Sequence, residues 1–227
     1  MSDLSNWQAR PAPAPVALTG RYAMIEPYRC GVHLNALWDA LGGSASNELL
    51  RYFPNGPYEN ADQMGEWIVG FQKGGAVVNV IRGRRTGNIL GMASYMRPDP
   101  ANGVVEVGSV AHSPLMQRSP ISTEVHYLLA RHVFEDLGYR RYEWKCHNEN
   151  AASKRTAERL GFTFEGIFRQ HLVSKGANRD TAWYSIIDGE WPSLKTAFED
   201  WLAPANFDAE GRQIERLEAI RASQGAG

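Results

Sequence analysis

The stretch that most constrains this chain runs over residues 104–162. It opens on V-V-E-V-G-S-V, an apolar alternation that suits a half-buried strand. A short polar loop follows, and Ser119-Pro120 then starts a helix: serine is a good N-cap, and proline suits the first helical position. Ile121, Val125, Leu128, Leu129, Val133 and Leu137 lie mostly on one face of that helix, and Gly138 stops it. Residues 142–146 read as a second strand, and Asn150 caps a second helix that ends at Leu160-Gly161-Phe162. Strand, loop, helix, strand, helix is an α/β unit with a polar loop at a helix N-terminus. There the free N–H groups and the helix dipole both favour an anion.

The flanking segments extend this unit. Residues 18–27 read as a first strand. Residues 31–41 form a helix that carries Leu34, Leu37, Trp38 and Leu41 on one face, with His33 in a surface or hydrogen-bonded role. Residues 49–58 (L-L-R-Y-F-P-N-G-P-Y) make an aromatic loop that either lines a groove or plugs the core, and residues 60–73 return to helix. Residues 76–82 and 89–96 form a hairpin, as do 163–173 and 181–187, and Trp191-Pro192 opens a last helix. Residues 1–17 hold the proline-rich A-R-P-A-P-A-P, an arm that is no regular helix. Residues 204–227 are a charged tail with Ile214, Leu217 and Ile220 at helical spacing, ready to pack on the domain or on a second subunit of a homodimer. The expected organisation is an arm (1–17), one domain (18–203) and a tail (204–227).

Composition narrows the function classes. A net charge of −1 provides no basic field for nucleic acid or an anionic membrane, so neither is an expected partner. No apolar run approaches the ~20 residues that span a bilayer. Two cysteines, Cys30 and Cys146, make no disulfide framework, and with no signal peptide they indicate the cytoplasm. His126 and His132 are six apart and share no metal-binding i, i+4 face, so no metal site is expected.

Two motifs carry a resemblance. Pro114 is followed three residues later by Gln117, giving Q-R-S-P-I-S, and Asn150 opens N-x-x-S-x-x-x-A-E-R-L-G-F. Together they resemble the GNAT superfamily of acetyl-CoA-dependent N-acetyltransferases, in its RimJ/RimL-like branch, over roughly residues 18–190. The resemblance implies an α/β (α+β) GNAT fold: a central mixed, mostly antiparallel sheet with splayed middle strands, flanked by helices. It implies acetyl-CoA as co-substrate and a primary amine as acceptor, on a protein N-terminus or a small molecule, with direct attack on the thioester. Two departures stand out. The glycines of the family's Q/R-x-x-G-x-G/A pattern are Pro120 and Ser122 here, and the family's frequent tyrosine acid is Ala157. They leave a second reading open, an acyl-CoA-binding scaffold with impaired catalysis.

Acetyl transfer needs a positioned amine, a donor for the oxyanion, a proton acceptor for the amine and a proton donor for the thiolate. The resemblance places Gln117, Arg118, Ser119, Ser122 and Thr123 at the pyrophosphate. Val110, Ala111 and His112 pair with pantetheine through main chain, and Asn150 and Ser153 lie along the arm. With tyrosine missing, Ser153 is the candidate thiolate acid. Glu106, on the central strand, is the first candidate base, and His171 the second. Tyr52, Phe53 and Tyr58 are the candidate acceptor-binding residues.

Overall fold

The computed structural model describes residues 4–224; the first three residues of the arm and the last three of the tail lie outside it. In chain order the elements are β1 (Leu18–Thr19), β2 (Ala23–Pro27), α1 (Cys30–Leu41), α2 (Ser46–Leu49), α3 (Ala61–Lys73), β3 (Val77–Gly83), β4 (Ile89–Asp99) and β5 (Val104–His112). There follow α4 (Pro120–Arg131), β6 (Arg141–His147), α5 (Ala151–Leu160), β7 (Thr163–Ser174), β8 (Ala177–Ile187), α6 (Trp191–Leu202) and α7 (Leu217–Gln224). The strands form one eight-stranded sheet in the order β1-β2-β3-β4-β5-β6-β8-β7. Every pairing is antiparallel except β5 with β6.

Each face of the sheet has its own core. α1 and α3 cover one face, where Leu37, Met64 and Ile68 pack against Val78, Val80 and Met92. α4, α5 and α6 cover the other, where Leu129, Val133, Leu160 and Phe198 pack against Val105, Tyr142 and Ala182. Burying apolar area on both faces is the main stabilising term of such a layered sheet.

The local signals act as the residue types require. Pro120 opens α4, although Ser119 gives its hydroxyl to Met116 O at 2.7 Å and does not cap α4. Asn150 caps α5 by accepting from Ser153 N at 3.1 Å, and Gly161 ends that helix at φ 97°, a left-handed turn that glycine enters without strain. Residues 18–27 are two short strands where one was expected. Glu124, 4% exposed on α4, accepts from three successive main-chain N–H groups, Arg21 at 2.7 Å and Tyr22 and Ala23 at 2.6 Å. The chain turns around that carboxylate, and a Cβ on Gly20 would lie 2.3 Å from its Cδ, so only glycine fits beside it.

The arm and tail both pack on the domain. Arg10 N donates to Pro100 O, Trp7 Nε1 to Ala101 O and Tyr139 Oη to Pro11 O, so residues 7–11 lie as an extended strap across the β4–β5 turn. Leu217 and Ile220 of α7 are buried in the second core, while Ile214 is exposed.

Candidate active site

The two middle strands part company where the site forms. The parallel register of β5 and β6 ends at Val107↔Trp144, although β5 continues to His112 and β6 to His147. A bulge against β4 and a left-handed Ser109 (φ 49°) bend β5 at this point. Residues 108–112 keep β4 as their partner on one side and have no strand partner on the other. A cleft of about 940 Å³ opens in the gap.

The helix N-termini on either side give the cleft a direction. α5 begins beside it with Asn150 and Ser153 and runs on to Arg159, six residues and about 9 Å further along the helix axis. Arg159 Nη1 donates to Thr123 Oγ1 at 2.9 Å, which joins that end to the first turn of α4 and to the Gln117–Ser122 loop. Arg118 stands in this loop at φ 57°, and Gln117 Nε2 donates to His112 O at 3.4 Å. At the opposite end Tyr52, Phe53, Trp67 and Phe71 form an aromatic wall. Phe53 meets Trp67 at 5.8 Å, Trp67 stacks on Phe71 at 5.7 Å, and Tyr52 rests on His147 at 5.2 Å.

Ser153 sits between these ends. It accepts from Trp144 Nε1 at 2.9 Å and neighbours the Cys146 thiol, whose pKa burial pushes up. On the floor, His126 of α4 lies 5.4 Å from His112 and 5.3 Å from Trp144, centroid to centroid. Burial drives the pKa of His126 far below its ordinary value and that of His112 down to about 4, so both rings are neutral at pH 7. Neither nitrogen of His126 has a hydrogen-bond partner among the described residues.

Glu106 is buried and held by two cations. Arg97 reaches it with Nη2 at 2.8 Å to each oxygen and Nε at 3.0 Å to Oε2, and Lys145 Nζ stands 3.1 Å from Oε2. Oε1 therefore carries one contact where Oε2 carries three. Lys145 also pairs with Glu143 at 2.7 Å and lies over the Trp183 ring at 3.8 Å.

Of the sequence-derived candidates, Glu106, Val110, His112, Gln117, Arg118, Ser119, Ser122, Thr123, Asn150, Ser153, Tyr52 and Phe53 all border the cleft. Three do not. Ala111 is buried towards α1 and α3, so only its main chain is near the gap. Tyr58 is 5% exposed and packs on Trp67 in the core, because the loop folds it beneath the aromatic wall. His171 is displaced outward: β7 is the edge strand and nearly all of its residues are exposed, and the His171 ring rests on Phe168 and Trp183 with Nδ1 3.0 Å from Thr181 Oγ1. Trp144, Arg97, Lys145 and Arg159 also border the cleft without having been expected there, and His126, considered in the sequence only as a metal ligand, joins them. Arg159 stands inside the E-R-L-G-F motif, and the Y-E-W-K-C alternation puts Trp144 on one face of its strand; those are the only signals for them in the sequence.

The family profile described as Acetyltransferase (GNAT) domain matches residues 33–163, more than half of the chain. This chain belongs to the GNAT acetyltransferase family. It is an acyltransferase, and its sheet is the GNAT sheet with parted middle strands. A GCN5-related N-acetyltransferase from Brucella melitensis superposes with a TM-score of 0.92 at 43% identity, covering 96% of this chain and 100% of that one. YdaF of Bacillus subtilis, named provisionally as a ribosomal N-acetyltransferase, is 28% identical over 109 residues, 48% of this chain and 59% of YdaF's own length. A Salmonella typhimurium acetyl transferase described as modifying the N-terminal serine of ribosomal protein L7/L12 shares the fold, with a TM-score of 0.66 at 21% identity over 76% of this chain and 99% of that one.

Proposed function

We propose that this enzyme transfers an acetyl group from acetyl-CoA to a primary amine, on a protein N-terminus or a small molecule, by direct attack and without an acyl-enzyme. The observation that carries the reading is the parting of β5 and β6 over a cleft that runs from an aromatic wall, past Ser153, to the first turn of α4. The residues present fit the co-substrate. Arg118 and Arg159 offer guanidinium donors beside a helix N-terminus, a setting for phosphate oxygens, and the free edge of residues 108–112 offers main-chain groups to an amide-bearing arm. Acetyl-CoA supplies the activated thioester.

The chain's own groups do the rest. Main-chain N–H groups on the free edge of β5 polarise the thioester carbonyl. Glu106, through the less occupied Oε1, accepts the proton of the attacking amine directly or by way of one water. Ser153 donates its hydroxyl proton to the departing sulfur and regains one from solvent, to which Glu106 gives up the proton it took from the amine. Tyr52 and Phe53 hold the acceptor on the aromatic wall. The names of YdaF and of the Salmonella enzyme support a protein N-terminus as one acceptor class. No described helix is long and apolar enough to cross a membrane, and the cytoplasm is the proposed compartment.

Thermal unfolding with CoA tests the reading. A ligand that binds only the native state raises the melting temperature by mass action. A melting curve that does not move at millimolar CoA contradicts it.

A further inference from the structure

Glu106 and Lys145 lie on the face of the sheet turned away from α4, α5 and α6. Side chains alternate along a strand, and their neighbours Val105, Val107, Trp144 and Cys146 belong to the core beneath those helices. Thr181 and Trp183 of β8 pair with His147 and Lys145, so Arg179, two residues before Thr181, takes the same face as Lys145. The core under α1 and α3 draws its buried strand residues from β3, β4 and β5 and, among the described residues, none from β6 or β8. This face is therefore open beside the cleft, and Arg97, Glu106, Lys145 and Arg179 border the cleft from it. The β7–β8 hairpin also reaches the aromatic loop, where Lys175 Nζ donates to Arg51 O at 3.2 Å. The cluster thus belongs to the acceptor end, away from the first turn of α4.

The charges there do not balance. Among the described residues that border the cleft, Glu106 is the one carboxylate, and Arg97 and Lys145 already hold it. Lys145 has a second partner in Glu143, so Arg97, Lys145 and Arg179 stand as three cations against two carboxylates. Arg97 spends Nε and Nη2 on Glu106, which leaves Nη1, and its side chain is 60% exposed. Arg179 has no carboxylate of the described residues within ion-pair distance. Its Nε is buried without a hydrogen-bond partner among them. Burial lowers its pKa, and the longer-range pull of Glu106 is opposed by Arg97. A desolvated guanidinium donor with no partner carries an unrecovered cost, and a carboxylate that arrives with a ligand removes it through charge-assisted hydrogen bonds.

We infer that the acceptor is anionic: a primary amine with a carboxylate a few bonds away, bound by Arg179 and by the free Nη1 of Arg97. This rests on the acetyl-transfer reading and names a substrate class for it. An amine that gives its proton to Glu106 lies beside Arg97, because Arg97 holds that same carboxylate. Arg97 and Lys145 also neutralise Glu106 towards an incoming anion. A free amino acid and a chain with an acidic residue next to its N-terminus share this chemistry. A polyamine, which brings a second positive charge, is disfavoured.

Acetylation kinetics of the full chain with two matched pairs of acceptors test this. One pair is β-alanine and β-alaninamide; the other is a C-terminally amidated peptide beginning Ser-Asp and its Ser-Asn counterpart. Rates are referred to the unprotonated amine, since a nearby charge shifts its ionisation. In at least one pair the acid should exceed the amide in kcat/KM by about tenfold or more, the scale of a charge-assisted contact. The pair that shows it separates a small acceptor from a protein N-terminus. Arg179→Gln should reduce that ratio to about twofold or less, and Arg179→Lys, which keeps the charge, should retain more of it. The ratio is taken within one preparation, so any loss of folded protein cancels. A wild-type ratio below about threefold in both pairs, or an unchanged ratio in Arg179→Gln, overturns the anionic acceptor and leaves acetyl transfer in place. No amine-dependent thiol release with any of the four acceptors overturns both.

Discussion

Trp144 donates its indole N–H to the hydroxyl of Ser153 at 2.9 Å, tying a strand of the sheet to the first turn of α5. A hydroxyl has one donor hydrogen and two acceptor sites. Because Trp144 occupies an acceptor site, the Ser153 hydrogen is left to point elsewhere. Trp144 is itself fixed, 5% exposed and edge-on to Phe162 at 5.6 Å. Ser153→Ala should therefore lower kcat by up to about 10²-fold, the low end for lost proton transfer, since thiolate leaves easily. KM for acetyl-CoA should change less. Steady-state kinetics decide: a change confined to KM makes Ser153 a binding residue only.

Glu106, the first candidate for the base, borders the cleft, and His171, the second, does not. Glu106→Gln keeps the shape and removes the proton acceptor, so kcat should fall by about 10²–10⁴-fold between pH 6 and 9. His171→Gln, on the edge strand, should stay close to wild type. A near-normal pH–rate profile for Glu106→Gln shows that the amine loses its proton to water.

Glu124 predicts a stability effect remote from the chemistry. Its carboxylate satisfies three buried or half-buried main-chain donors, and Glu124→Gln would turn an amide group towards some of them. A loss of about 2–4 kcal/mol is expected, because unsatisfied buried donors cost their desolvation. Gly20→Ala should also destabilise, since its Cβ would fall on the carboxylate. Urea unfolding measures both, and an unchanged midpoint for Glu124→Gln refutes the role.

The buried histidines predict acid sensitivity. The folded-state pKa of His112 lies near 4, and that of His126 is also depressed, against an ordinary value of 6.5. Below pH 6.5 the unfolded chain takes up protons that the folded chain refuses, so stability falls as pH drops from about 6.5 to 4. Each histidine contributes a slope of at most about 1.4 kcal/mol per pH unit in that window. His126→Gln should flatten the slope in unfolding experiments. An equal slope in wild type and variant places the acid sensitivity elsewhere.

Much of the fold was legible because its signals are local. Ser119-Pro120, the Asn150 cap and Leu160-Gly161-Phe162 each state a helix boundary within a few residues, and the Q-R-S-P-I-S and N-x-x-S-x-x-x-A-E-R-L-G-F runs together carried the resemblance to the family. What escaped depends on long-range partners. Nothing near Glu124 in sequence announces that it will hold the turn at Arg21–Ala23, about a hundred residues earlier. Tyr58 and Phe53 look alike in an aromatic loop, yet packing on Trp67 buries Tyr58 and leaves Phe53 at the cleft. His171 was expected near the cleft from its place in the strand after L-G-F, but the order β6-β8-β7 puts that strand at the sheet edge. The tail's part in the cleft was hidden for the same reason: Phe207 packs on Trp201 and Tyr22, neither of which the tail's own pattern reveals.

Direct attack by the amine makes thiol release and amine acetylation a single event. Free thiol release from acetyl-CoA is followed with a panel of primary amines that includes a peptide beginning with serine, while intact-protein mass is recorded in the same reaction. Direct attack requires thiol release that depends on an amine, one acetylated amine per thiol, and an enzyme mass that never gains an acetyl group. Thiol release that proceeds without amine, or an enzyme that becomes acetylated and then passes the group on, would contradict it.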